Sequence, residues 1–191
     1  GLYGTEEYSA SGLLGGSSQH VVEIHSAELA GVYTREFEEM WGGSGPTPDP
    51  AQSNFAGRKV DDTRHLLTIG GVPVECYFSP SDQALKHVSD YVRGSADHNV
   101  YFLIFAFSDQ TLTDVLKVKW EGSKLAGQGQ RTGFEIRGVF DPLFWNQWWS
   151  ASVDMTGRRG KRESEENPNI YWAIRPPVFP AREDRKLHMK T

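Results

Sequence analysis

A single cysteine, Cys76, in a chain of 191 residues excludes an intramolecular disulfide and mildly favours a reducing compartment. Long hydrophobic runs are also missing. The longest, residues 100–107, has eight apolar positions, which suits a buried strand and is far too short to span a bilayer. Stable membrane insertion is therefore not expected. The opening stretch, Gly1 to Gly16, offers neither a basic nor an apolar region of the signal-peptide kind, so cytoplasmic and exported locations both stay open. Positive charge is not in excess: 20 Lys and Arg stand against 25 Asp and Glu, for a formal charge of −5. That balance argues against a chain that wraps nucleic acid through bulk electrostatics. Several catalytic patterns are absent as well. There is no glycine-rich phosphate loop and no His-Glu-x-x-His pair. Ser9, Ser11 and Ser26 lack a nucleophile-elbow context. His20 and His25 have no cysteine nearby, which disfavours zinc, and His65, His87 and His98 read as surface or helix-end residues.

What is present is a folding composition, 38% hydrophobic and 24% charged. Ser26 ahead of Glu28 reads as a helix N-cap, and Leu29, Tyr33, Phe37 and Trp41 recur at steps of four as one helix face. Gly42 and Gly43 end that helix. Residues 43–57, rich in proline, glycine and serine, read as a linker or long surface loop. Val72 to Phe78 is strand-like, and Ser79-Pro80 with Asp82 predicts a helix start, with Leu85, Val88 and Val92 as its apolar face. His98 to Phe107 is the central strand. Ser108 is expected to cap the next helix, which carries Leu112, Val115 and Leu116. Phe134 to Phe140 forms a third strand ending at Asp141, and Ile170 to Ile174 a further one. Strand and helix alternate, and the strands lack clean polar alternation, so a mainly parallel or mixed sheet with helices on both faces is expected.

The sharpest chemical signal is Leu187-His188-Met189-Lys190. On a strand, His188 and Lys190 share one side. A neutral imidazole can attack phosphorus or shuttle a proton, and an ammonium can neutralise nonbridging oxygens as charge builds. Unaided, His-x-Lys carries little information, and the plain alternative is a polar tail. Trp145, Trp148 and Trp149, with Phe144, admit two readings: packing beside the third strand, or the wall of a substrate groove. The run Arg158-Arg159-Gly160-Lys161-Arg162 reads as a solvated loop whose charge is blunted by Glu163, Glu165 and Glu166.

Taken in order, four phrases resemble the phospholipase D-like (HKD) superfamily: Cys76-Tyr77-Phe78-Ser79-Pro80, Val100 to Ser108 followed by Asp109, Ile136-Arg137-Gly138-Val139-Phe140-Asp141, and Leu187-His188-Met189-Lys190. The helix ending Glu36-Phe37-Glu38-Glu39-Met40-Trp41 resembles the close of a preceding repeat. The resemblance implies an α/β fold, a phospholipase D-like α-β-α sandwich with a mixed sheet and incomplete repeats. Residues 1–42 would be the remnant of a first repeat, 43–71 a linker or surface loop, and 72–191 the front of a second.

It also implies a phosphodiester hydrolase or phosphatidyl transferase that works through a phosphohistidine, with no metal or cofactor. His188 would be nucleophile or acid/base, and Lys190 would bind phosphate. Gly4 and Thr5 would sit at the phosphate-holding loop, and Trp145 and Trp148 along the substrate groove. The substrate would be a phosphodiester, either a phospholipid headgroup or nucleic acid. The partner histidine is expected before Gly1 and the motif's aspartate after Thr191, so the isolated chain is expected to be inactive. Glu7 stands where the family has asparagine, and Gln19 where it has an acidic residue, which favours the alternative of a non-catalytic binding or structural relative. An unrelated α/β domain is the third reading.

Overall fold

The computed structural model describes residues 22–125, 133–166, 168–182 and 187–188. The chain divides into two compact units, one of residues 23–87 and one that holds the residues from 88 onward.

The first unit opens with helix α1, Ala27–Trp41. Ser26 caps it, its Oγ accepting from Leu29 N at 3.1 Å, and Gly42 ends it in the left-handed region at φ 90°. The buried stripe is Leu29, Val32 and Glu36 rather than the aromatic one expected. Tyr33 and Phe37 are about half exposed; Tyr33 meets Phe78 edge-on, and Phe37 stacks on Trp41. The physical reason lies at Glu36, which forms an ion pair with Lys59, both side chains 6% exposed or less. Lys59 Nζ also donates to the Ser79 carbonyl at 2.7 Å. Residues 43–57 run back against α1: Asp49 N donates to Trp41 O, Asn54 N to Glu39 O, and Ser53 Oγ to Met40 O.

Strands β1, Leu66–Ile69, and β2, Val72–Glu75, then form an antiparallel hairpin. Its two turn residues, Gly70 and Gly71, have φ of 58° and 81°, the conformation that tight hairpins require. Leu67 and Cys76 pack with Leu29 and Val32 to make this unit's core.

Helix α2, Ala84–Ser95, starts later than Ser79-Pro80 suggested. Asp82 turns inward instead, its Oδ2 accepting from Phe78 N at 2.7 Å, and Gln83 adopts φ 51°, which no helix interior permits. Of its expected apolar face only Val92 is buried; Ser89 is buried beside it, while Leu85 and Val88 are exposed.

The second unit carries a parallel sheet in the order β3-β4-β5, made of Asn99–Ile104, Glu135–Phe140 and Val178–Pro180. Together with the antiparallel hairpin this makes a mixed α/β fold. Helix α3, Gln110–Leu125, follows β3. Its cap is Asp109, not Ser108: Oδ1 accepts from Leu112 N at 2.6 Å, the reach a cap residue needs. The expected strand at Ile170 to Ile174 is irregular. Its backbone groups are taken elsewhere, Trp172 N by the Asp154 carbonyl, Ala173 N by Glu121 Oε1 and Ile174 O by the Trp120 indole. Strand β5 comes after Pro176-Pro177 instead, at a sheet edge where proline is tolerated.

Phe102, Ile136, Phe140 and Val178 pack on Val115, Leu116 and Trp120 of α3, and on Ala151, Met155 and Trp172. The last elements gather around a short helix α4, Ser152–Thr156. On the opposite sheet face Tyr101, Leu103 and Phe179 are exposed. Among the described residues, no helix is long and apolar enough to cross a membrane.

Candidate functional site

Parallel sheets open at the carboxyl ends of their strands, where successive loops diverge and side chains can converge on a ligand. In the second unit that edge is organised by Asp141, which follows β4 and is fully buried. Its backbone N–H donates to the Ile104 carbonyl at 3.1 Å, which ties it to the end of β3. Oδ1 accepts from Leu143 N at 2.8 Å and Oδ2 from Leu187 N at 2.9 Å. One buried carboxylate thus holds the turn after β4 and the segment that carries His188. In sequence Asp141 marks a strand end and closes the third family-like phrase; its anchoring role shows only in these hydrogen bonds.

His188 is half-buried, its ring edge-on to Phe105 with centroids 4.9 Å apart. Phe105 is the first residue past β3 and also meets Phe144 at 4.6 Å. Phe144 in turn meets Trp149 at 6.3 Å. A run of rings therefore joins His188 to the tryptophan loop. Lys190, Gly4 and Thr5 lie outside the described residues.

Hydroxyl groups pin the tryptophan loop to the strand ends. Ser150 Oγ and Ala151 N both donate to the Phe107 carbonyl, and Ser152 Oγ donates to the Trp145 carbonyl at 2.7 Å. Trp145 packs on the core and carries the Arg158 guanidinium over its ring at 5.3 Å. Trp148 and Trp149 are 38% and 40% exposed and wall a cleft of about 340 Å³. Asp154 of α4 lines the same cleft. Burial pushes its carboxyl up to about 6, partly offset by hydrogen bonds to Gln110 and to the backbone of Ile170; the charge of Asp114 raises it further and that of Lys117 opposes. Asp154 stands out by neither spacing nor motif and is found only through its burial.

The first unit holds one group with the composition of a metal site, Asp61, His65 and Asp82. Both ring nitrogens of His65 are engaged, Nδ1 with the Cys76 carbonyl at 2.9 Å and Nε2 with Asp61 Oδ1 at 2.8 Å. A metal would have to displace one of these partners. The ring packs on Tyr77, which stacks in turn on His87 at 3.8 Å. Burial lowers the affinity of His65 for a proton, but its bonds to the Cys76 carbonyl and Asp61, with the Asp82 charge, outweigh this and raise its pKa. The arrangement favours the protonated form of the ring beside Asp61 and Asp82.

Comparison with protein-family models, with curated proteins and with solved structures finds no match.

Proposed function

We propose that the chain is part of a phospholipase D-like phosphodiesterase in which His188 works at the phosphorus and Lys190 steadies the phosphate. What supports this reading is the setting of His188: a half-buried imidazole beside Phe105 at the carboxyl end of a parallel sheet, its backbone neighbour held by Asp141. The order of the four sequence phrases supports it as well. The finer fold proposal, an α-β-α sandwich of incomplete repeats, rests on the same phrases.

In the proposed reaction an imidazole nitrogen attacks phosphorus and displaces the leaving alcohol, which takes its proton from a second histidine. That second histidine then removes a proton from water, or from an acceptor alcohol, which attacks phosphorus and frees the first ring. The scheme needs a second His-x-Lys segment beyond residues 1–191.

The test is hydrolysis of bis(4-nitrophenyl) phosphate by the full-length protein and its His188→Asn variant. The expected loss is about a thousandfold, as for removal of a reacting imidazole. Undiminished hydrolysis by the variant overturns the assignment. The 191-residue chain alone is expected to give no turnover.

A non-catalytic binding domain is the second reading. It is favoured by the carboxylates of the tryptophan cleft, which repel a phosphate.

A further inference from the structure

We propose that the cleft walled by Trp148 and Trp149 is a binding site for a small organic cation, a primary or quaternary ammonium group. Its volume, about 340 Å³, suits a headgroup of a few heavy atoms. Among the described residues its ionisable lining is Asp154 and Glu166, with neither lysine nor arginine. An anion entering here meets two carboxyl groups. A cation meets the same two groups and two indoles, whose π faces attract positive charge. Gln110, Ser150 and Asn169 are its uncharged polar lining residues among those described.

The wall is built from fixed parts. Trp148 N donates to the Lys161 carbonyl at 3.1 Å, and Asn169 Nδ2 donates to the Trp148 carbonyl at 2.7 Å. Gly160 makes this fit possible, since a Cβ there would stand 3.0 Å from Trp148 Cα and 2.6 Å from Asn169 Oδ1. Trp149 is backed by Phe144, and Ser150 next to it is buried.

Asp154 is 6% exposed, and burial, with the charge of Asp114 behind it, pushes its carboxyl up to about 6. Lys117, whose charge opposes this shift, is also paired with Glu121 at 3.3 Å. A bound ammonium supplies the charge this carboxylate lacks. The inference stands apart from the phosphodiesterase reading, because it asks for no chemistry at His188 and holds equally for a binding domain.

The experiment is a titration of the 191-residue chain with tetramethylammonium chloride at constant ionic strength and pH 7.5, read from the tryptophan indole N–H resonances. Glucose and inorganic phosphate are titrated separately. Saturable shifts at the Trp148 and Trp149 indoles with tetramethylammonium, and none with the other two, are expected. Trp149→Ala should abolish saturation. Glu166→Gln, at an exposed rim position, should weaken it by about two- to fivefold, the worth of one partly screened charge. Circular dichroism checks the fold of each variant, and the rim substitution keeps the test decisive if the tryptophan variant does not fold. No saturation up to about 50 mM, beyond which affinity is too weak to be specific, overturns the proposal. So does saturation by glucose or phosphate, or an unchanged response in Glu166→Gln.

Discussion

Gly138 is constrained by its neighbour rather than by its own backbone. A Cβ at that position would lie 2.1 Å from the ring of Phe102, on the paired strand. Gly138→Ala should therefore displace a core aromatic and cost about 1–3 kcal/mol, seen as a lower urea midpoint. Asp154 makes a prediction about pH. Its folded pKa of about 6 lies above the unfolded value near 3.9, so folding favours the protonated form. The associated stability is complete below about pH 4 and is lost as pH rises through about 6. Asp154→Asn should gain on the natural protein over that interval, by about 1 kcal/mol, since solvent in the cleft screens the charge. Urea unfolding at pH 4 and pH 7.5 checks this. His65, also raised, stabilises the fold below the ordinary histidine value, and that contribution fades as pH rises through its folded one. The advantage of the natural protein over His65→Gln should shrink between pH 5.5 and pH 8.5 in the same measurement.

Helix α1 and the segment holding Lys59 are joined by a charge pair that is more useful intact than halved. Lys59→Met leaves Glu36 buried without its cation, and a loss of about 3–5 kcal/mol is expected. Adding Glu36→Leu should recover most of it, since an apolar pair of similar volume tolerates the interior. Denaturation of the single and double variants measures both effects. This pair also explains which parts of the fold were legible in the sequence. The Ser26 cap and the Gly42 stop are local devices, and both could be read from a few residues. The buried face of α1 was misread because Glu36 looks like a solvent position until a lysine 23 residues later reaches it. The cap of α3 moved by one residue because Ser108 and Asp109 both qualify locally. The last strand was missed because Pro176-Pro177 reads as a stop, and only its place at a sheet edge shows otherwise. Hairpin β1–β2 did leave a signal, Gly70-Gly71 between two apolar segments. Within the site, His188 was visible as part of a motif. The Asp141 anchor and the acidic lining of the tryptophan cleft depend on residues distant in sequence, and no periodicity reports them.

Over the whole molecule, a net charge of −5 and the scattered basic run favour ligands that are small or cationic over polyanions. Arg158 lies over Trp145 and Arg159 pairs with Glu163, so two members of that run are already partnered. No retention on duplex DNA is expected at about 150 mM salt, where nonspecific binding depends on unpaired phosphate contacts; a gel-shift titration checks this. The sheet of the second unit has an apolar core on one face and exposed Tyr101, Leu103 and Phe179 on the other, which makes those three positions the natural places for solubilising substitutions. The Asp141 tie to Leu187 has a practical side. Clipping the chain ahead of residue 187 would strip a donor from an oxygen that water does not reach, so a protease-trimmed or shortened preparation should melt earlier even though no strand or helix among the described residues has been cut.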